Sequence, residues 1–484
     1  MNGSTAAVLT DALILALYLG LFFHLARKGR GHDAVVGGDV SFPVQAFAYV
    51  ATYISAVALV GFGGLAYTYG LQMILVAAGN VWLGTWAVYR FLSWPTRQWQ
   101  QRLKARSPAQ LLGLGHHSPL LGRALALVFA VFLAVYASAV IKGAAVLLAE
   151  ILPLPLWTLI WLTALAAGAC VLMGGLRGVL YTEAMQGVVM LLGILIIVGA
   201  VLVRVGGPLD GMEALSLLPP DARADNGFTA LSSGETGWFI ISLVLVTSVA
   251  VWAQPQMMQR HFAVASRNQL ARTSALAMLV LTLLVGGIYF ASSLSRLFLP
   301  PVAGPDEVIP LLVRTLLPHV GMELFVLAVV SASLSTATAL CHIAAVAVAE
   351  DVPARRSTRP AWLLGVSLCV LISGACAQIK GQLIALLCAT SWGMVGATAL
   401  VPYLALVLFN RRSASAAWGS ACLGFSACLA WYLLVSRSTA LVPSLLPSLA
   451  GIPPFFAGLA ASLFGWAAGS LLPLAAPRKT SLPF

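Results

Sequence analysis

Apolar segments long enough to cross a membrane recur along the whole chain, with short polar gaps between them. A hydrocarbon core about 30 Å thick needs roughly 20 apolar residues per spanning helix. The pattern therefore predicts an all-α polytopic membrane protein with about thirteen transmembrane helices. The predicted spans are 5–26, 42–66, 70–93, 122–150, 155–174, 180–204, 236–256, 271–298, 319–348, 361–379, 382–409, 416–436 and 453–474.

Charge in the gaps predicts the orientation of these spans. Cytoplasmic loops carry an excess of Lys and Arg. Most of the 27 basic residues lie in alternate gaps, starting with the gap after the first span, which holds Arg27, Lys28 and Arg30. This distribution predicts an N-out, C-in topology. The first segment lacks a basic stretch before its apolar run, so we expect a retained helix rather than a cleaved signal peptide.

Composition agrees with a membrane protein and narrows the function. Apolar residues make up 60% of the chain and charged residues 9%, against about 25% charged residues in soluble domains. The net charge of +12 lies in short loops beside apolar runs, which indicates topology rather than a nucleic-acid partner. No paired carboxylates, histidine cluster or nucleophile elbow appears in any span, so we do not expect an enzyme.

Two interrupted spans suggest an internal repeat. The second span contains Gly61, Gly63 and Gly64, and the seventh contains Pro255. Transporters are often built from inverted repeats with discontinuous helices at the ion site, and five helices follow from each break. The predicted units are a leading helix at 1–30, a first repeat at 40–204, an extracytoplasmic loop at 205–235, a second repeat at 236–410, and two C-terminal helices with a short tail at 411–484.

Two side-chain hydroxyls and one backbone carbonyl share one face of the ninth span. Ala332, Ser335 and Thr336 are spaced i, i+3 and i+4, so they lie on the same side of a helix. One carbonyl and two hydroxyls suit a hard cation. The alternative is that both hydroxyls merely bond the carbonyls of their own helix, which is common in membrane helices.

A more specific motif is MGGLRGVLYTEAMQGVVMLLGILIIVG, at residues 173–199. Its Gly-Gly turn, basic residue, Thr, acid and Gln resemble the signature of the sodium:solute symporter family, with Glu183 where aspartate is more usual. An acid in the first turn of a helix complements the helix dipole, and that structural role is one interpretation of Glu183. A cytoplasmic exit relay for sodium is the other.

Three further stretches extend the resemblance between about residues 40 and 420. ATYISAVALVGFGGLAYTYG (51–70) resembles the family's broken first core helix, most closely in its pantothenate and monocarboxylate branches. QPQMMQRHFA (254–263) resembles the sixth core helix, and the segment 391–419 resembles the tenth. The resemblance implies a LeuT-type five-plus-five inverted repeat with extra helices. It also implies Na⁺ as the coupling ion, bound by the carbonyls of Ala51, Ile54 and Ala332 and the hydroxyls of Ser335 and Thr336.

The substrate pocket implied by the resemblance is less specific. Tyr53 stands where proline carriers have an aspartate, and Val57 and Ala58 stand where sugar carriers have polar residues, which argues against both substrates. Any single aromatic residue among the candidates could equally be core packing. The candidate substrate-binding residues are Ser55, Asn80, Tyr136, Lys142, Trp252, Gln254 and Trp392.

Lys142 is the one basic side chain well inside a predicted span. A buried unpaired charge is costly and marks a functional hypothesis, here a counter-charge for a carboxylate substrate. The alternative is that Lys142 extends to the outer face, two turns from Glu150.

These features predict a sodium-coupled secondary active symporter in a bacterial cytoplasmic membrane. It would import a small organic solute, a monocarboxylate or pantothenate-like anion, by alternating access. A proline-like amino-acid symporter and a symporter-fold sensor without transport are the alternatives. The exact substrate, sodium or proton coupling, the role of His342 and the oligomeric state, with a monomer among the options, stay open.

Overall fold

The computed structural model describes residues 3–33, 35, 40–149, 152–234, 236–302, 304–379, 384–436, 449 and 451–471. The predicted tail beyond 471, including Arg478 and Lys479, lies outside them, as do Glu150 and Lys380. The helices are α1 (Gly3–Arg27), α2 (Phe42–Tyr53), α3 (57–69), α4 (73–103), α5 (Pro108–Gly115), α6 (Pro119–Leu148), α7 (Leu156–Arg204), α8 (Pro208–Ser216), α9 (Gly237–Val249), α10 (Pro255–Arg260), α11 (Arg267–Ser295), α12 (Pro305–Leu316), α13 (His319–Asp351), α14 (Arg359–Ala377), α15 (Ile384–Val407), α16 (Ala414–Leu434) and α17 (Pro454–Leu471).

The described part of the chain is helical, and its long helices are apolar. Nine of them are long and apolar enough to cross a membrane, or ten when the bent pair Gly237–Ala253 and Pro255–Ala263 is taken as one span. The run α7 is interrupted at Gly175, where φ is 53° and ψ is −155°, so it holds two predicted spans. A multi-pass, all-helical membrane protein is thereby confirmed, while the count of thirteen and the N-out orientation stay predictions.

The first break lies in a different part of the second span from the one that the glycines predicted. Helix α2 ends at Tyr53 and Ile54 is extended, with φ −99° and ψ 116°, whereas Gly61, Gly63 and Gly64 are helical. The break that these glycines predicted therefore lies earlier in the same span, at Ile54. Gly64 instead allows close packing, since a Cβ there would lie 1.8 Å from the carbonyl oxygen of Pro305.

The second break falls where it was predicted. The helical stretch that begins with α9 ends at Gln254, which has φ −68° and ψ 121°, and α10 restarts at Pro255. Proline suits the first position of a helix because it lacks the N–H that would have no partner there. The two halves meet at 53°.

Helix α13 lies at the centre of the bundle and positions the site. It contacts α2, α6 and α7, and nearly all of its middle section is buried. Helices α16 and α17 pack against each other and on α15. The boundaries of the two repeats stay predictions.

Candidate functional site

The hydroxyl pair on α13 faces the end of α2. The Ser335 Oγ donates to the carbonyl oxygen of Ala51 at 2.6 Å, and the Thr336 Oγ1 lies 3.5 Å from the same oxygen. All three residues are buried. The structure thus brings together residues 284 positions apart in the sequence.

Bonding within α13 also occurs, but it does not account for this arrangement. Both hydroxyls lie 3.0 Å from the Ala332 carbonyl oxygen, as the alternative interpretation predicted. They additionally reach across to α2, where the Thr336 Oγ1 lies 3.4 Å from the carbonyl oxygen of Thr52. Thr52 was missed from the sequence, and its position beside Ala51 was the only available signal.

The break at Ile54 explains why oxygens are available here. The last four carbonyls of a helix have no intrahelical partner. The Ile54 N–H donates to the Val50 carbonyl, so the carbonyls of Ala51 and Thr52 are available to groups outside the helix. The C-terminal end of α2 also carries the negative end of its dipole. Ile54 is buried beside this cluster. A concentration of uncharged oxygens at a helix C-terminus suits a hard monovalent cation.

Aromatic side chains gather next to the break. The ring of Tyr53 stacks on Trp392 with centroids 6.4 Å apart and planes at 26°. Tyr136 meets Trp392 edge-on at 5.9 Å, and its hydroxyl faces the hydroxyl of Ser55. These four residues come from α2, α6, α15 and the broken segment, and all are buried.

Two buried polar atoms in this cluster lack a protein partner. The Gln254 Nε2 donates to the Trp392 carbonyl at 3.3 Å, while its Oε1 and the Trp392 Nε1 have no hydrogen bond within the described residues. Buried polar atoms are almost always paired. The Gln254 Oε1 and the Trp392 Nε1, which lies beside the Tyr136 hydroxyl, are therefore the candidate ligand contacts in this cluster.

Asn80 and Trp252 lie at the margin of this cluster. The Asn80 Oδ1 accepts hydrogen bonds from Tyr53 Oη at 3.0 Å, Thr247 Oγ1 at 2.9 Å and Ser248 Oγ at 3.1 Å, so it supports Tyr53 from behind. The Trp252 Nε1 donates to the Leu83 carbonyl at 3.0 Å.

Lys142 is not brought to the pocket. Its Nζ donates to the carbonyl oxygen of Ile379 at 2.9 Å, near the end of α14. The side chain is half-buried, as expected for a lysine that extends toward an interface. This geometry favours the alternative in which Lys142 extends to the outer face.

Glu183 is not in the first turn of a helix. It lies two turns beyond the interruption at Gly175, fully buried, and forms an ion pair with Arg260. The Arg260 Nε and Nη2 also donate to Thr52 Oγ1, at 3.2 and 2.9 Å. The helix-dipole interpretation is therefore wrong, and Arg260 is a buried core residue.

A second polar network, missed from the sequence, joins the loops next to α13. The guanidinium of Arg106 pairs with Glu350 at 2.8 Å and with Asp33 at 2.7 Å, and these carboxylates raise the pKa of Arg106. The hydroxyl of Ser107 donates to Asp351 at 2.8 Å. The network holds the end of α13 against the loops that follow α1 and α4.

Two buried histidines, His342 and His116, pack against other parts of the chain. His342 meets Trp362 edge-on at 5.6 Å. The Nε2 of His116 lies 2.9 Å from the carbonyl oxygen of Pro402. Burial lowers the pKa of His116 to about 4.

The oxygen cluster, the two broken helices and the neighbouring aromatic cluster are features of an ion-coupled transporter. A family model described as "Sodium:solute symporter family" matches residues 35–424. The chain belongs to this family, and the resemblance seen in the sequence is confirmed.

Individual relatives agree with this placement. The chain is 28% identical over 298 residues to a sodium/pantothenate symporter of Haemophilus influenzae, and the match covers 60% of each chain. It is 26% identical over 389 residues to the human sodium/iodide cotransporter, and this match covers 76% of this chain and 59% of the relative. These matches thus span about three fifths of the length of the curated relatives.

A solved structure extends the likeness to the fold. The protein superposes on the substrate-bound, outward-open structure of a Na⁺-coupled sialic acid symporter with a TM-score of 0.75 at 18% identity. The superposition covers 98% of this chain and 99% of the symporter chain. The LeuT-like fold expected from the sequence is confirmed.

Proposed function

We propose that this protein is a sodium-coupled symporter that imports a small organic anion by alternating access. The observation that carries the proposal is the contact of the Ser335 and Thr336 hydroxyls with the carbonyl of Ala51 at the break in α2. Family membership supports sodium as the ion.

Sodium would bind between two helices that belong to different predicted repeats. The carbonyls of Ala51, Ile54 and Ala332 and the two hydroxyls supply oxygen ligands from α2, the broken segment and α13. When the ion binds, each hydroxyl turns its hydrogen away and offers a lone pair. Because the ion ties α2 to α13, it stabilises the arrangement that forms the pocket at Ser55. Sodium and substrate then raise each other's affinity by the same factor.

A direct measurement of sodium binding tests this site. We expect Ser335→Ala/Thr336→Ala to abolish binding of radiolabelled sodium to the purified protein. Ser333→Ala is the matched control, because Ser333 lies on the same helix, is equally buried, and has an Oγ without a partner among the described residues. Wild-type sodium affinity in the double variant would show that the ion binds elsewhere.

The pocket supports an acid that also carries a hydrogen-bond donor. Trp392 Nε1 would donate to a carboxylate oxygen, and Gln254 Oε1 would accept from a hydroxyl or amide N–H. Hydroxy acids and pantothenate-like acids carry both groups. None of the five pocket residues Tyr53, Ser55, Tyr136, Gln254 and Trp392 is charged, so the bound sodium, rather than Lys142, would balance the carboxylate.

An amino-acid substrate is the second candidate. The faces of Tyr53, Tyr136 and Trp392 could hold an ammonium group by cation–π attraction. The pocket residues include no carboxylate to pair with it, which favours the acid.

Competition against uptake of a labelled acid separates the two candidates. Hydroxy acids should compete, whereas their amides should compete at least tenfold less well, since a hydrogen bond to a charged group contributes about 1.5–3 kcal/mol. Their deoxy analogues should compete several-fold less well, since a hydrogen bond between neutral groups contributes about 0.5–1.5 kcal/mol. Trp392→Phe should remove the preference for acids, and Trp362→Phe, on α14, should keep it. Stronger competition by zwitterionic amino acids would favour the second candidate.

A further inference from the structure

A groove of about 680 Å³ lies between α4 and α11, away from the proposed transport site. The two helices contact each other along this length. The groove is lined by two arginines, Arg90 and Arg267, and by the aromatic residues Trp86, Phe91 and Trp94. No aspartate or glutamate lines it.

The two arginines present positive charge that no protein acid balances. Both are exposed, and neither forms an ion pair with any acid in the described ranges. Arg90 lies over the Phe91 ring at 5.4 Å. Arg267 is the first residue of its helix, whose N-cap Ser266 makes no side-chain cap and whose first turn has no acid. The helix dipole therefore adds to the positive potential there.

Most of the remaining lining is apolar. Trp86 is 41% exposed and Phe91 is 46% exposed, and the buried Leu270 and the half-buried Met278 continue the lining along α11. Aromatic side chains of this kind concentrate at the membrane–water interface. The charge distribution along the chain predicts that this end of α4 and α11 faces the cytoplasm, where membrane leaflets carry anionic lipids.

We propose that the groove is a binding site for an anionic phospholipid of the cytoplasmic leaflet. The phosphate lies between Arg90 and Arg267, and the exposed Gln98, which also lines the groove, bonds the polar part of the headgroup. An acyl chain runs along Trp86, Phe91 and Met278. A soluble phosphate would use only the two arginines, whereas a lipid matches both the arginines and the apolar lining.

Native mass spectrometry of the full, delipidated protein tests the site, with phosphatidylglycerol and phosphatidylcholine as the probes. Arg90→Gln/Arg267→Gln should bind phosphatidylglycerol about 25-fold more weakly, because each arginine near a membrane surface contributes about 1 kcal/mol. Arg90→Lys/Arg267→Lys keeps the charge and should retain most of the binding. Arg123→Gln/Arg359→Gln, two exposed arginines outside the groove that are also predicted to be cytoplasmic, should bind like wild type.

Three results would overturn the proposal. Equal loss of phosphatidylglycerol in the Arg123/Arg359 variant would mean that only general surface charge matters. Unchanged binding in Arg90→Gln/Arg267→Gln, shown to be folded by its melting curve, would place the lipid elsewhere. Displacement of the lipid by inorganic phosphate at a comparable concentration would show that the groove takes the free anion.

Discussion

The buried ion pair between Glu183 and Arg260 should be strongly coupled in stability. The two side chains are 0% and 2% exposed, so neither charge can be solvated when its partner is removed. Breaking such a pair costs about 3–5 kcal/mol, whereas replacing both members with apolar residues is nearly neutral. Arg260→Met alone and Glu183→Leu alone should therefore each lower the free energy of unfolding by about 3–5 kcal/mol.

The double variant Arg260→Met/Glu183→Leu should recover most of this loss. Thr52, the other partner of Arg260, keeps a hydrogen bond from its own Oγ1 to the Ala48 carbonyl at 2.8 Å, so the double change leaves no buried hydroxyl unpaired. We expect a net cost below about 1.5 kcal/mol and an interaction energy of several kcal/mol.

Unfolding in mixed detergent and SDS micelles measures these free energies. The same variants should be assayed for sodium binding, because Thr52 follows Ala51 and the single variants should weaken that site as well. A double variant whose loss equals the sum of the two single losses would refute the reasoning, since it would show no coupling between the charges.

Three further predictions test other parts of the structure. Gly64→Ala should cost about 1–3 kcal/mol, because its Cβ would lie 1.8 Å from Pro305 O, while Gly199→Ala, with nothing within 4 Å, should be neutral; equal melting temperatures would contradict this. The low pKa of His116, about 4 against an ordinary 6.5, means that its neutral form stabilises the fold above pH 6.5. That stability should fall as pH drops from 6.5 to 4, and His116→Gln should flatten the melting temperature over this range; an unchanged slope would contradict the assignment. Lys142→Met should keep the preference for carboxylates over their amides in uptake, and loss of that preference would return Lys142 to the substrate site.

The sequence indicated the fold well because membrane helices have a strong local signal. Apolar length alone predicted a multi-pass helical protein, although the count of thirteen spans stays a prediction, and Pro255 marked the second break correctly. The first break was misplaced because glycine serves two purposes. In the sequence, Gly64 suggested an unwound backbone, but its contact with Pro305 depends on a distant helix.

The site was predictable only where the family motif fixed its positions. The approach of Ser335 to Ala51 agrees with the ligand set expected from the resemblance, although sodium binding itself stays a prediction. The partners of Arg260 and Arg106 depend on helix packing, which has no local signature. Lys142 appeared functional because span boundaries are uncertain by several residues, and its contact with Ile379 became visible only in three dimensions.

The most direct test of the account is accumulation of a labelled hydroxy acid in proteoliposomes, with and without an inward sodium gradient. Wild type and Ser333→Ala should accumulate the acid only with the gradient, and Ser335→Ala/Thr336→Ala should not accumulate it at all. Gradient-driven accumulation that survives in the folded double variant would contradict the claim that sodium bound at Ser335 and Thr336 drives transport.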